Sequence, residues 1–111
     1  MKLALVGYGK MGKIIETHAL AQKHTISSII DPFVEGAKKS LTVEHLQGCD
    51  VAIDFTHPDV ALEHIRFYIN NRIPAVIGTT GWYEHLGEVA SMVEEADGTI
   101  LYSGNFSLGV A

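Results

Sequence analysis

Leu3-Ala4-Leu5-Val6-Gly7-Tyr8-Gly9-Lys10-Met11-Gly12 is the stretch that decides the fold. Its four opening apolar residues suit a strand buried on both faces, and glycines end that strand. Each glycine of Gly7-x-Gly9-x-x-Gly12 has its own physical reason. Gly7 permits a tight turn out of the strand, Gly9 has no side chain to hold off a pyrophosphate, and Gly12 lets the next helix pack closely on the sheet. The start of that helix offers unpaired N–H groups and the positive end of a dipole to phosphate oxygens. A plain tight turn would account for an isolated GxGxxG. This one follows a predicted strand, opens a predicted helix and begins seven residues into the chain.

Downstream, short apolar runs alternate with stretches of helical period. Met11, Ile14, Ile15 and Ala19 predict a helix over residues 10–22 with one apolar stripe. Thr25–Ile30 is rich in β-branched residues and stops at Asp31-Pro32, a strand ending in a turn. Residues 33–47 are less regular, with one helical turn expected over 43–46. Val51-Ala52-Ile53 is the next buried strand, closed by Asp54-Phe55-Thr56. Thr56 or His57 is placed to cap a helix with Pro58 at its first position, Asp59 in its first turn, and Ala61, Ile65, Tyr68 and Ile69 as its buried stripe. Ala75-Val76-Ile77 stops at Gly78. Leu86, Val89, Ala90 and Val93 mark a third helix, which Asp97-Gly98 turns into a strand over residues 99–102. The whole reads as one α/β domain: a Rossmann-type, doubly wound parallel sheet of at least five strands with helices on both faces.

In such sheets ligands bind beyond the carboxyl ends of the strands, where the strand order reverses. The polar and glycine-rich segments of this chain follow its strands: the Gly7–Gly12 turn, Asp31-Pro32, Asp54-Phe55-Thr56, Gly78-Thr79-Thr80-Gly81 and Ser103-Gly104-Asn105-Phe106. Asp31 lies 24 positions beyond Gly7, where a carboxylate either accepts the adenine-ribose hydroxyls of a dinucleotide or caps the Pro32 turn. A carboxylate there repels the 2′-phosphate of NADP, and Pro32 brings no positive charge beside it. NAD(H) is therefore expected to bind in preference to NADP(H), which remains possible. The loop at 78–81 suits the nicotinamide ribose, its carboxamide or a substrate, and equally suits a simple helix cap. Lys10 stands either against phosphate oxygens or in solvent.

Other chemistry finds less support. The chain has 111 residues, 47% of them apolar, enough for one core and one domain over 1–111. A net charge of −5 speaks against nucleic acid and anionic membranes as partners. No signal peptide or 20-residue apolar span is legible, so a cytoplasmic protein is expected, in keeping with the single cysteine, Cys49, which reads as packed rather than reactive. The six histidines show no metal-ligand spacing, so no metal site is expected. Asp54 and Glu63 do not suggest a carboxylate pair, and no nucleophile–base–acid set is present, leaving no catalytic residue to name.

Four segments together resemble the N-terminal domain of dihydrodipicolinate reductases: Gly7 to Gly12, Val51-Ala52-Ile53-Asp54-Phe55-Thr56-His57-Pro58, Val76-Ile77-Gly78-Thr79-Thr80-Gly81, and Asn105-Phe106-Ser107-Leu108-Gly109-Val110. The resemblance implies cofactor contacts at Gly7, Tyr8, Gly9, Lys10, Met11, Gly12, Asp31, Phe55, Gly78, Thr79, Thr80, Ser103, Gly104, Asn105 and Phe106, with Thr80 also near substrate. It implies hydride transfer from NAD(P)H to a cyclic unsaturated dicarboxylate in lysine and diaminopimelate biosynthesis. It also implies a second domain beyond position 111 that carries the substrate-binding groups, a His-His pair, a Lys and a Ser-Gly-Thr loop, and builds a homotetramer. By that reading the chain alone is inactive. It departs from the family at Ala111, where Asn is usual, and at Asp31-Pro32, where some members carry a basic residue beside the acid. The competing readings are the nucleotide domain of another amino-acid or sugar dehydrogenase, and a non-catalytic NAD- or CoA-binding module.

Overall fold

The structure, a computed structural model, describes residues 1–102. Five strands form one parallel sheet: β1 (Lys2–Val6), β2 (Thr25–Ile30), β3 (Val51–Asp54), β4 (Ala75–Ile77) and β5 (Ile100–Tyr102), in the order β2-β1-β3-β4-β5. Three helices connect them: α1 (Lys10–Ala21), α2 (Pro58–Asn70) and α3 (Leu86–Ala96), with 3-10 turns at Glu44–Leu46 and Tyr83–His85. The path steps from β1 outward to β2 in one direction and from β3 to β4 to β5 in the other. Right-handed crossovers then place α1 on one face and α2 and α3 on the opposite face. This is the doubly wound arrangement the sequence predicts.

The two faces are unequally filled. Ala4, Ala52 and Ala75 stand in register across β1, β3 and β4 and are almost wholly buried. They share one core with Val6 and Ile77, with Ala61, Ile65, Tyr68 and Ile69 of α2, with Val89 of α3, and with Ile30, Leu46 and Trp82. The stripe expected on α2 is buried in full. On α3 the buried side is Leu86, Val89, Met92, Val93 and Ala96, whereas Ala90 faces solvent.

Leu3, Leu5 and Ala19 are buried outside that core, on the α1 side. Here the expected stripe is corrected. Ile14 is 42% exposed, Met11 and Ile15 are half-buried, and Gly12 and Ala19 are the only buried residues of α1. The helix meets the sheet through its smallest residues because a Cβ on Gly12 would stand 2.5 Å from the Gly7 carbonyl oxygen. That close approach rotates the larger apolar groups toward the edge. No helix among the described residues is long and apolar enough to cross a membrane.

The register also aligns the strand ends. Ile30, Val6, Asp54, Ile77 and Tyr102 pair in sequence across the sheet, so the carboxyl ends form one row. The next residues are tied across the same edge: Gly7 N–H donates to Ile30 O (2.8 Å), Phe55 N–H to Val6 O (2.9 Å) and Gly78 N–H to Asp54 O (2.9 Å).

Candidate functional site

The glycine turn separates packing demands from a ligand demand. Gly7 has φ +91°, and a Cβ there would lie 2.6 Å from the Phe55 carbonyl oxygen, so turn geometry and packing both require glycine. Gly12 is required by its contact with Gly7. Gly9 differs: beyond its two chain neighbours, no described protein atom lies within 4 Å of where its Cβ would stand, and its φ is −86°. Neither crowding nor backbone strain explains glycine at this position. Gly9 is also the N-cap of α1, no side chain caps that helix, and no acidic residue sits in its first turn. The first bond of the helix is Lys13 N–H to Gly9 O (3.1 Å), so the amides before Lys13 are not used in the helix's own bonding. These features fit the diphosphate of a dinucleotide, since bare amides and a dipole end are what that group requires.

Asp31 makes the turn-capping contact expected of it and a second one across the edge. Its Oδ1 accepts from Phe33 N–H (2.9 Å), which caps the Pro32 turn, while its Oδ2 accepts from Tyr8 N–H (2.8 Å) across the edge. Each oxygen retains acceptor capacity beyond these two bonds. The Tyr8 amide is thereby engaged inside the protein. Its ring turns back along α1: the hydroxyl donates to Glu16 (2.5 Å), which raises its pKa, and the Lys13 ammonium lies 5.6 Å from the ring centre. Tyr8 thus reaches the turn through its backbone. Lys10 is exposed and Met11 half-buried at the start of α1.

Phe55 is wedged between the two glycine loops. Its carbonyl abuts Gly7, and its ring occupies the space a Gly78 side chain would need, with ring carbons 2.0–2.5 Å from the would-be Cβ. The threonines of the next loop divide. Thr79 is buried; its hydroxyl donates to Thr56 O (2.8 Å) and its backbone carbonyl accepts from Trp82 Nε1 (2.8 Å), whereas Thr80 is exposed at the edge. Ser103, Gly104, Asn105 and Phe106 lie outside the described residues, as do the following residues through Ala111.

The sequence reading missed a buried polar cluster behind this edge. Asp54, 1% exposed, accepts from Thr56 N–H (3.1 Å) and Thr56 Oγ1 (2.6 Å) on one oxygen; the other pairs with His64 Nδ1 (2.9 Å) and accepts from Tyr68 Oη (2.5 Å). Burial, then the Asp54 charge, pushes the Tyr68 hydroxyl well above the ordinary tyrosine range. The cluster also decides between the two caps expected for α2. His57 is the N-cap of α2 without a side-chain bond, and Thr56 turns its hydroxyl to Asp54 instead. A buried carboxylate is the stronger acceptor, and Pro58 removes one of the amides a cap would satisfy. The available signal was the i, i+4 spacing of His64 and Tyr68 on the helix face that carries Ala61 and Ile65. Cys49 packs at the margin of the core, and burial raises its thiol pKa, in keeping with a structural role.

Two hollows, of about 310 and 250 Å³, lie away from the glycine turn, beside β2 and beside α2.

A five-stranded parallel sheet with a bare glycine turn after its leading strand defines a Rossmann-type domain. Solved structures share this fold. A dihydrodipicolinate reductase from Paenisporosarcina sp. TG-14 with dipicolinate bound superposes with a TM-score of 0.78 at 23% identity, over 98% of this chain and 49% of that one. A probable dehydrogenase from Thermotoga maritima gives 0.78 at 11% identity, over 98% and 38%.

The family model for the N-terminus of dihydrodipicolinate reductase matches residues 1–106, and the chain belongs to that family. Its relatives include 4-hydroxy-tetrahydrodipicolinate reductases from Christiangramia forsetii, 36% identical over 99% of this chain and 44% of that protein, and from Mycolicibacterium smegmatis, 35% identical over 98% and 44%. The chain thus spans under half the length of these relatives.

Proposed function

We propose that this chain is the dinucleotide-binding part of a dihydrodipicolinate reductase, with NAD(H) as the preferred cofactor. The observation that carries the proposal is Gly9, a glycine that packing does not require, set at the uncapped start of α1. In this reading the segment from Gly7 to Gly12 holds the diphosphate, and Asp31 takes the adenine-ribose hydroxyls. Phe55, Gly78, Thr79, Thr80 and the segment from Ser103 to Phe106 border the nicotinamide half. Phe55 and Thr79 act by shaping that wall, since the Thr79 hydroxyl is already engaged. The bound dinucleotide supplies a hydride for a cyclic unsaturated dicarboxylate; this chain binds and orients it.

Family membership supports that reaction for the whole enzyme, which we place in the cytoplasm as a homotetramer. Fluorescence titration of the chain with NADH, NADPH, coenzyme A and ATP tests the reading. Saturable binding of NADH, tighter than NADPH, is the expected result, while preference for coenzyme A or ATP would overturn it. With a dihydrodipicolinate substrate added, the chain alone should oxidise no NADH above background.

A further inference from the structure

Phe33 is 91% exposed, yet it does not lie on a loose segment. Its own N–H is bonded to Asp31 Oδ1 (2.9 Å), and Pro32 fixes the backbone between them. The loop closes at both ends: Asp31 N–H donates to Lys38 O (2.8 Å), Lys38 N–H donates to Ile29 O (2.9 Å), and Ile30 and Lys38 form a parallel bridge. Within it, Val34 N–H donates to Asp31 O (3.3 Å), Ala37 N–H donates to Val34 O (3.3 Å), and the Lys39 ammonium turns back to the Val34 carbonyl. Single exposed apolar side chains are common and mean little by themselves. This one is tethered through its amide to the carboxylate that stands where the acidic residue of such folds accepts the adenine-ribose hydroxyls. Adenine is joined to C1′ of that same ribose, beside the hydroxyl-bearing C2′, so an aromatic side chain on an amide fixed two residues after the acid is within reach of the base.

We propose that Phe33 is the adenine platform of the dinucleotide site, its phenyl face stacked on the base while Asp31 holds the attached ribose. The inference rests on the dinucleotide reading above. One carboxylate then coordinates three contacts: through Tyr8 N–H it fixes the diphosphate turn, through its remaining lone pairs it takes the ribose, and through Phe33 N–H it fixes the backbone that carries the ring. An aromatic platform also adds no positive charge for a 2′-phosphate, consistent with preference for the unphosphorylated dinucleotide.

The test compares wild type, Phe33→Ala and Phe33→Trp by fluorescence titration with NADH and with reduced nicotinamide mononucleotide, which lacks the adenosine half. Base–aromatic stacking predicts that Phe33→Ala weakens NADH binding about tenfold, equivalent to about 1.4 kcal/mol. It predicts no change for the mononucleotide and near-wild-type NADH affinity for Phe33→Trp. Equal NADH affinity in wild type and Phe33→Ala, or equal losses for both ligands, would overturn the inference while leaving the site reading in place. Wild type that binds neither ligand would overturn the site reading, and this inference with it.

Discussion

At the scale of the residue, Asp31 carries the most consequence per atom. Replacing it with alanine removes the proposed ribose acceptor and also frees the Tyr8 and Phe33 amides that it holds. Hydrogen bonds to a charged group contribute about 1.5–3 kcal/mol each, so Asp31→Ala should weaken NADH binding tenfold to a hundredfold in a fluorescence titration. An unchanged affinity would remove Asp31 from the site. Tyr68 tests the buried cluster. Tyr68→Phe deletes one donor to Asp54 and should lower stability by about 1.5–3 kcal/mol at pH 7 in urea melts. The sign of its pH dependence follows from the raised pKa. Folding keeps this hydroxyl protonated, so its contribution is complete below about pH 10, the unfolded value, and declines above it. Wild type should therefore lose its advantage over Tyr68→Phe as pH rises past 10, and an advantage that grows there would contradict the assignment.

At the scale of the element, the loops after β1, β3 and β4 are fitted to one another through Phe55. Gly78→Ala would drive a methyl group into the Phe55 ring, so it should destabilise the fold by about 1–3 kcal/mol. Combining it with Phe55→Ala should cost less than the sum of the two single changes, which a double-mutant cycle by denaturation would show. Additive effects would mean that the contact is not made.

The strands and α2 were legible in sequence because short apolar runs and a Pro58-led amphipathic stripe each admit few alternatives. The orientation of α1 was legible from the glycine motif, which set Gly12 against the sheet, but not from the apolar stripe. Hydrophobic periodicity pointed to Ile14, whereas the contact with the sheet is set by Gly12, and periodicity assigns a glycine no weight. The Thr56 cap failed for a related reason: local propensity takes no account of a buried carboxylate two residues earlier.

At the scale of the whole molecule, the site is a property of register. Only when β1, β2, β3 and β4 end in one row do Gly7, Asp31, Phe55 and Gly78 become neighbours, and the sequence shows each of them only as the residue after a strand. What sequence reasoning could not supply was the internal use of groups it had set aside for ligand, the Tyr8 amide and the Thr79 hydroxyl among them. The account rests most heavily on the claim that Gly9 is kept bare for a diphosphate. Gly9→Ala tests that claim directly, because the added methyl group, beyond its two chain neighbours, meets no described protein atom within 4 Å. At a helix N-cap the exchange should change stability by no more than about 1 kcal/mol. We predict a folded variant with stability within about 1 kcal/mol of wild type and an affinity for NADH at least tenfold weaker. A folded Gly9→Ala protein that binds NADH as tightly as wild type would contradict the account.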